Sequence, residues 1–258
     1  MSTAASSVAA FRPPEIHMAR NEREVRVHLA ALYRLIAHFG MDDLVFTHIT
    51  ARVPGEPGHF LINPYGMMFD EITSSNLVKI DHDGNLVEPS SYPVNRPGFV
   101  IHSAVHMARP EVNFVAHTHT RAGIAVSCTK DGLLPLNQFA LQFHNAVAYH
   151  DYEGIANDED ERERLIAHLG DKNAMILRNH GLLTCGETAG QAFSLMYYLE
   201  QSCRIQVDVR AMGSKIVIPP EAVQDKTAGQ YSTGRTAGQR EWPALLRMLD
   251  RIDPSYRN

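Results

Sequence analysis

The run Val112–Arg121, VNFVAHTHTR, constrains this chain more than any other stretch. Phe114, Val115 and Ala116 read as a buried strand that ends on two histidines one residue apart, His117 and His119. Alternation along a strand puts residues i and i+2 on one face, so both imidazoles start from the same side. Two such rings can each offer a nitrogen to one divalent cation. A third donor would complete a catalytic set with a position left open for substrate. Downstream, the hydrophobic strand Ala174–Leu177 runs into a polar turn carrying His180 and a glycine, and supplies it. With 14 histidines in the chain, a second reading stays open, in which these rings only hydrogen-bond at strand ends.

A chain of 258 residues that is 44% hydrophobic suffices for one substantial core and does not demand two. We expect an α/β domain over residues 15–212, a loose arm over 1–14 and a C-terminal extension over 213–258. A net charge of −5 at pH 7 gives no basic footprint, which argues against nucleic acid or an anionic membrane as partner. Cys128, Cys185 and Cys203 form no C-x-x-C and point to a reducing compartment. With no charged leader and no apolar run approaching roughly 18 residues, the expected location is the cytoplasm.

Along the chain, Val25, Leu29, Leu32 and Ile36 mark an amphipathic helix over Glu15–Phe39 that Gly40 stops. Two hairpins follow: Val45–Val53 with Phe60–Asn63, then Val78–Asp81 with Leu86–Glu88, turned at Asp83-Gly84. Between them, NPYGMMFDEIT is an irregular loop at a strand end, where sites are often built. A helix over Phe99–Arg109 places His102 and His106 one turn apart, a pair that could bind metal; without an H-E-x-x-H pattern that is the lesser reading, and His102 reads as a packing residue or one standing behind the ligands. Ala122–Cys128 is a short helix, Val147–His150 a strand and Asp158–Leu169 a charged surface helix. Ala174–Leu177 and Leu182–Cys185 flank NHG, and a long helix spans Thr188–Met212. DKTAGQYSTGRTAGQ reads as a linker or partly ordered tail, before a last helix over Trp242–Ile252 that could dock on a neighbouring surface.

The segments HFLINPYGMMFDEITSSNLVKID, VNRPGFVIHSAVHMARPEVNFVAHTHTRAGIAVS, AYHDYEGI and ILRNHGLLTCGE, in this order, resemble the class II aldolase/adducin family, and adducin head domains more than sugar-phosphate aldolases. The resemblance covers about residues 25–212. It implies a three-layer α/β/α domain with a mostly antiparallel central sheet, and a homo-oligomer, a tetramer with active sites between subunits. It also implies that His117, His119 and His180 hold a divalent metal, Zn²⁺ foremost with Fe²⁺, Mn²⁺ or Co²⁺ as alternatives. Such a metal stabilises an enediolate as a carbon–carbon bond next to a hydroxy-carbonyl group is made or broken.

The departures from the family are as informative. The aldolases' acidic acid/base falls in register on Gly98, and the serines before it fall on Arg96 and Pro97. The glycine of their phosphate loop falls on Thr47, in THIT, and their acid tyrosine near Phe139. The resemblance therefore implies a metal-dependent lyase or decarboxylase acting on a small hydroxy or keto acid. In it Arg96 would pair with a carboxylate, and Tyr65 or His48 would move the proton; Asp70 or Glu71 could reach in from their loop instead. Two other readings are a non-haem iron oxygenase on the same fold and a non-catalytic oligomerisation module like the adducin head. The chain lacks the long basic tail of the adducins, which argues against an actin role. Phe193, Met196, Tyr197 and Leu199 on the long helix serve either a subunit interface or the chain's own core.

Overall fold

The computed structural model describes residues 18–154, 159–232 and 237–258. The expected N-terminal arm and residues 15–17 of the expected first helix lie outside them. The first helix, α1, spans Glu22–His38 and is capped by Asn21, whose side chain accepts from the Glu24 N–H at 3.0 Å. That cap places its start later than the apolar spacing suggested, since Asn21 satisfies a helix-end donor that an earlier start would bury in the helix.

Seven strands follow: β1 (His48–Arg52), β2 (Phe60–Ile62), β3 (Val78–Ile80), β4 (Phe114–Thr118), β5 (Val147–His150), β6 (Ala174–Leu177) and β7 (Gly181–Gly186). They form one sheet in the order β3-β2-β1-β4-β7-β6-β5. Every neighbouring pair is antiparallel except β5 with β6. The second expected hairpin is reduced: beyond β3 only an isolated bridge, Ile80 with Leu86, survives. Leu86 and Val87 are largely exposed there and have no core to hold a longer strand.

Helices α2 (Arg96–Ala108) and α5 (Glu159–Leu169) cover one face of the sheet, while α1, α3 (Arg121–Ser127) and α6 (Ala189–Ala211) cover the other. The strand alternation sorts side chains between the two layers. Ala116, Phe114 and Ile49 join the α1/α6 core, and Val115, Leu183 and Met175 join the α2/α5 core. His48, Thr50 and His117 share parity with Val115 and so face α2. Phe193, Met196 and Leu199 are buried in this chain's own core, which removes their motive as an interface stripe.

A short helix, α4 (Gln138–Leu141), appears where no periodicity announced one; Asn137 caps it with two backbone hydrogen bonds. Of the polar segment read as a linker, 233–236 lie outside the described residues, and the first part, 225–232, instead belongs to helix α7 (Glu221–Ser232). Its own apolar content is slight, and it is held by contacts to α4, with His144 paired to Asp225 at 3.0 Å and Gln138 donating to the Tyr231 hydroxyl at 3.3 Å. The last helix, α8 (Glu241–Ile252), docks on its own chain, with Trp242 and Leu249 buried against α1 and α6. After it a final turn returns to the loop preceding β3, where the Ser74 N–H donates to Tyr256 C=O at 2.9 Å and the Ser75 N–H to Asn258 C=O at 2.8 Å.

Candidate metal centre

Strand β4 delivers His117 and His119 to its C-terminal end, and the turn between β6 and β7 delivers His180. Their nitrogens converge: His119 Nε2 lies 3.0 Å from His117 Nε2 and 2.9 Å from His180 Nε2. One donor atom from each ring falls within 4.8 Å of the others. His117 is buried, while His119 and His180 are partly open, so the cluster has a wet side. Two local features make the turn possible. Asn179 adopts a left-handed backbone with φ 56°, a region asparagine tolerates. A side chain at Gly181 would collide with the Thr118 carbonyl oxygen and press on His119 Cδ2 at 3.3 Å and His117 Cε1 at 3.4 Å.

The far side of each ring decides what its inner nitrogen can do. His117 Nδ1 lies 2.9 Å from the Leu182 carbonyl oxygen. A carbonyl only accepts, so that nitrogen carries the proton and Nε2 keeps a bare lone pair. His119 Nδ1 lies 2.9 Å from the Asp43 carboxylate, with the same result. Two lone pairs then face each other at 3.0 Å, an arrangement that repels unless something positive sits among them. Nitrogens held about 2.0–2.1 Å from a tetrahedral zinc ion lie roughly 3.3 Å apart, so the donor set fits a divalent cation. Burial, with the neighbouring rings His180, His119 and His48, keeps His117 well below the usual imidazole pKa. Burial and then His119 bring His180 down to about 4. Neutral imidazole is the form that ligates.

Behind this cluster lies a second set of histidines. His48 is the cross-strand partner of His117, and its ring sits 6.0 Å from that of His117 and 4.0 Å from that of His102. Thr50 Oγ1 bridges His102 Nδ1 at 2.9 Å and His106 Nε2 at 2.8 Å. His106 Nδ1 lies 3.3 Å from the Val112 carbonyl oxygen and therefore carries a proton there. His106 Nε2 then accepts from the Thr50 hydroxyl, and the hydroxyl oxygen accepts from His102 Nδ1–H. Both helix histidines are packing groups joined through one threonine, as their spacing without a glutamate suggested. Burial, with Arg52 adding to it, lowers His106 to about 3, and burial with the His48, His117 and His106 rings takes His102 well below its ordinary value.

Among the other candidates, Tyr65 sits in the turn after β2, with its N–H on Pro93 C=O at 3.1 Å. Among the described residues its hydroxyl makes no hydrogen bond to the three rings. Arg96 opens α2, but its side chain, with those at 97 and 98, lies outside the described residues. Thr47 keeps a left-handed φ of 61° although it is not a glycine, and Leu44, largely exposed, does the same at 51°. Each such residue costs about 1–2 kcal/mol. Phe139 lies on α4, its ring 5.1 Å from Tyr198. Asp43 went unnoticed in the sequence; the only cue was an Asp-Asp pair just past the end of α1.

Residues 27–207 match the family model described as Class II Aldolase and Adducin N-terminal domain. Alpha-adducin of Mus musculus is 41% identical over 249 residues, which cover 90% of this chain and 34% of alpha-adducin. The crystal structure of an aldolase II superfamily protein from Pseudomonas syringae is 50% identical, with a TM-score of 0.89 over 94% of this chain and 98% of that one. L-fuculose 1-phosphate aldolase from Glaciozyma antarctica PI12 is 29% identical, with a TM-score of 0.81 over 92% and 93% of the two chains.

Proposed function

Given that this chain belongs to the class II aldolase and adducin family, we propose that it is a metal-dependent lyase or decarboxylase acting on a small hydroxy- or keto-carbonyl compound. One observation carries the reading: three imidazoles converge their nitrogens on one point, and the Nδ1 atoms of His117 and His119 are engaged outward by a carbonyl and a carboxylate, leaving their Nε2 atoms facing each other. His117, His119 and His180 would hold a divalent cation, zinc foremost, with iron(II), manganese(II) or cobalt(II) also suited to nitrogen donors. When bound, such an ion supplies Lewis-acid stabilisation of negative charge on adjacent substrate oxygens. The chain's own residues do the rest. The Leu182 carbonyl holds the His117 ring in register, and His48, buried beside His117, would hold a proton next to the site. Arg96, at the start of α2, would meet a substrate carboxylate, and Tyr65 is the second candidate for proton transfer.

Protein purified without a nickel column should carry about one divalent metal per chain. His117→Ala and His180→Ala should each remove it, and the loaded wild type should cleave a member of a panel of hydroxy and keto acids. If both variants kept full metal content, the ligand assignment would be wrong. Similarity to alpha-adducin favours a second reading, a non-catalytic oligomerisation module. A wild type that carries no metal and cleaves none of the panel would favour it.

We further propose a cytoplasmic homo-oligomer, a tetramer by analogy with the family. Among the described residues no helix is long and apolar enough to cross a membrane. Light scattering at micromolar concentration should report about four chains; a monomer there would overturn the proposal.

A further inference from the structure

Resting on the metal reading above, we propose that Asp43 is a positioning residue for the ligand His119: its carboxylate fixes which ring nitrogen faces the cation and adds negative charge behind a ligand set made only of imidazoles. The three ligands are treated differently by their surroundings. His117 leans on a backbone carbonyl, whereas Asp43 Oδ2 accepts from His119 Nδ1–H at 2.9 Å, with 26% and 38% of the His119 and Asp43 side chains exposed. A ligating histidine is oriented by whatever accepts its other N–H, and a carboxylate there strengthens its hold on the metal. No other carboxylate among the described residues hydrogen-bonds to any of the three rings.

The loop that carries Asp43 is built for a purpose other than its own packing. It runs from the end of α1 to β1 and is pinched by the Phe46 N–H donating to Asp43 C=O at 2.8 Å. Leu44, inside the pinch, takes a left-handed backbone while 63% of it is exposed, so no burial offsets the strain. Thr47 is also left-handed at the entry to β1, but it is buried, which leaves Leu44 as the residue whose strain nothing offsets. Strain kept without a packing gain points to a group the loop must present, and the group presented here is the Asp43 carboxylate. Both ends of the contact are fixed to the same helix. Arg204 on α6 reaches Gly40 C=O at 3.5 Å, and Glu200, its ion-pair partner at 2.7 Å, accepts from Thr120, the residue after His119.

The test is zinc affinity by chelator competition on the full chain at neutral pH, with the melting temperature of the metal-free protein alongside. Asp43→Ala should bind zinc roughly 10- to 100-fold more weakly. Asp43→Asn, whose amide oxygen still accepts from His119 Nδ1, should recover part of that loss. The metal-free melting temperatures of all three proteins should coincide, because a half-exposed pair contributes little to the fold. An Asp43→Ala affinity within twofold of wild type overturns the proposal and leaves the metal centre standing. So does a weaker affinity that is matched by a fall in metal-free melting temperature, which would make Asp43 a structural residue. A wild type that fails to bind zinc at all overturns the metal reading and this inference together.

Discussion

Offered fuculose, rhamnulose or ribulose phosphates, the metal-loaded protein should cleave them only at a trace rate. Proton transfer by a positioned side chain typically contributes about 10²- to 10⁴-fold, and Gly98 stands at the register where the family's sugar-phosphate aldolases carry an acid. Glycine has no group to move a proton. Two carboxylates from the loop after β2 could in principle substitute. Glu71 is already engaged, its Oε2 accepting from the Met68 N–H at 2.7 Å in the cap of its own turn. Asp70 is exposed and lies close enough to Asp42 that burial, with the charges of Asp70 and Asp43, pushes Asp42 above the usual carboxylate range. Similarity to an L-fuculose 1-phosphate aldolase makes the assay pointed. Steady-state cleavage should be near background for the wild type and rise in Gly98→Glu. Robust wild-type turnover that Asp70→Asn abolishes would show that the acid had moved one loop away.

Acid should unfold the metal-free protein well before its carboxylates are neutralised. His106 titrates near 3 in the folded chain and His102 well below 6.5, because burial penalises their charged forms. Unfolded, both would take up a proton near the ordinary value of 6.5. Between the two values the unfolded state binds more protons, so stability is full above pH 6.5 and falls as pH is lowered toward 3. His106 alone removes roughly 1.4 kcal/mol per pH unit in that window. His102, lowered in the same direction, adds to that loss below pH 6.5, against a total stability of about 5–15 kcal/mol for a domain. Urea midpoints at pH 7.5, 6 and 5 should therefore drop steeply, and His106→Gln should flatten the slope. A midpoint unchanged from pH 7.5 to 5 would falsify the role given to these rings.

Much of this architecture is legible from residue order, and the exceptions share a physical cause. Strands such as Phe114–Thr118 and Ala174–Leu177 are short apolar runs with turn residues at both ends, so local sequence contains the signal. The His117, His119 and His180 cluster was legible for the same reason, since all three sit where a hydrophobic strand stops. Helix α7 was not, because its residues gain their order from α4, a partner far along the chain. Asp43 and Thr50 were illegible as site residues for the same reason. Each acquires its role from a ring on another element: His119 at the end of β4, and His102 and His106 on α2. The i, i+4 spacing of His102 and His106 was visible, but the threonine between them comes from strand β1.

The spread of the site along the chain also sets when it can come into being. Asp43 and His119 are 76 residues apart, and His119 and His180 a further 61. β4 completes its hydrogen-bonding only when β7, which follows His180, is laid beside it. At ribosomal rates of roughly 5–20 residues per second, the first two histidines therefore wait about 3–12 s for the third. A nascent chain during that interval offers two loose imidazoles and no enclosed set. On the metal reading proposed above, acquisition would therefore belong to the finished chain, drawing on whatever exchangeable pool the cell holds at that moment rather than on ions met during synthesis.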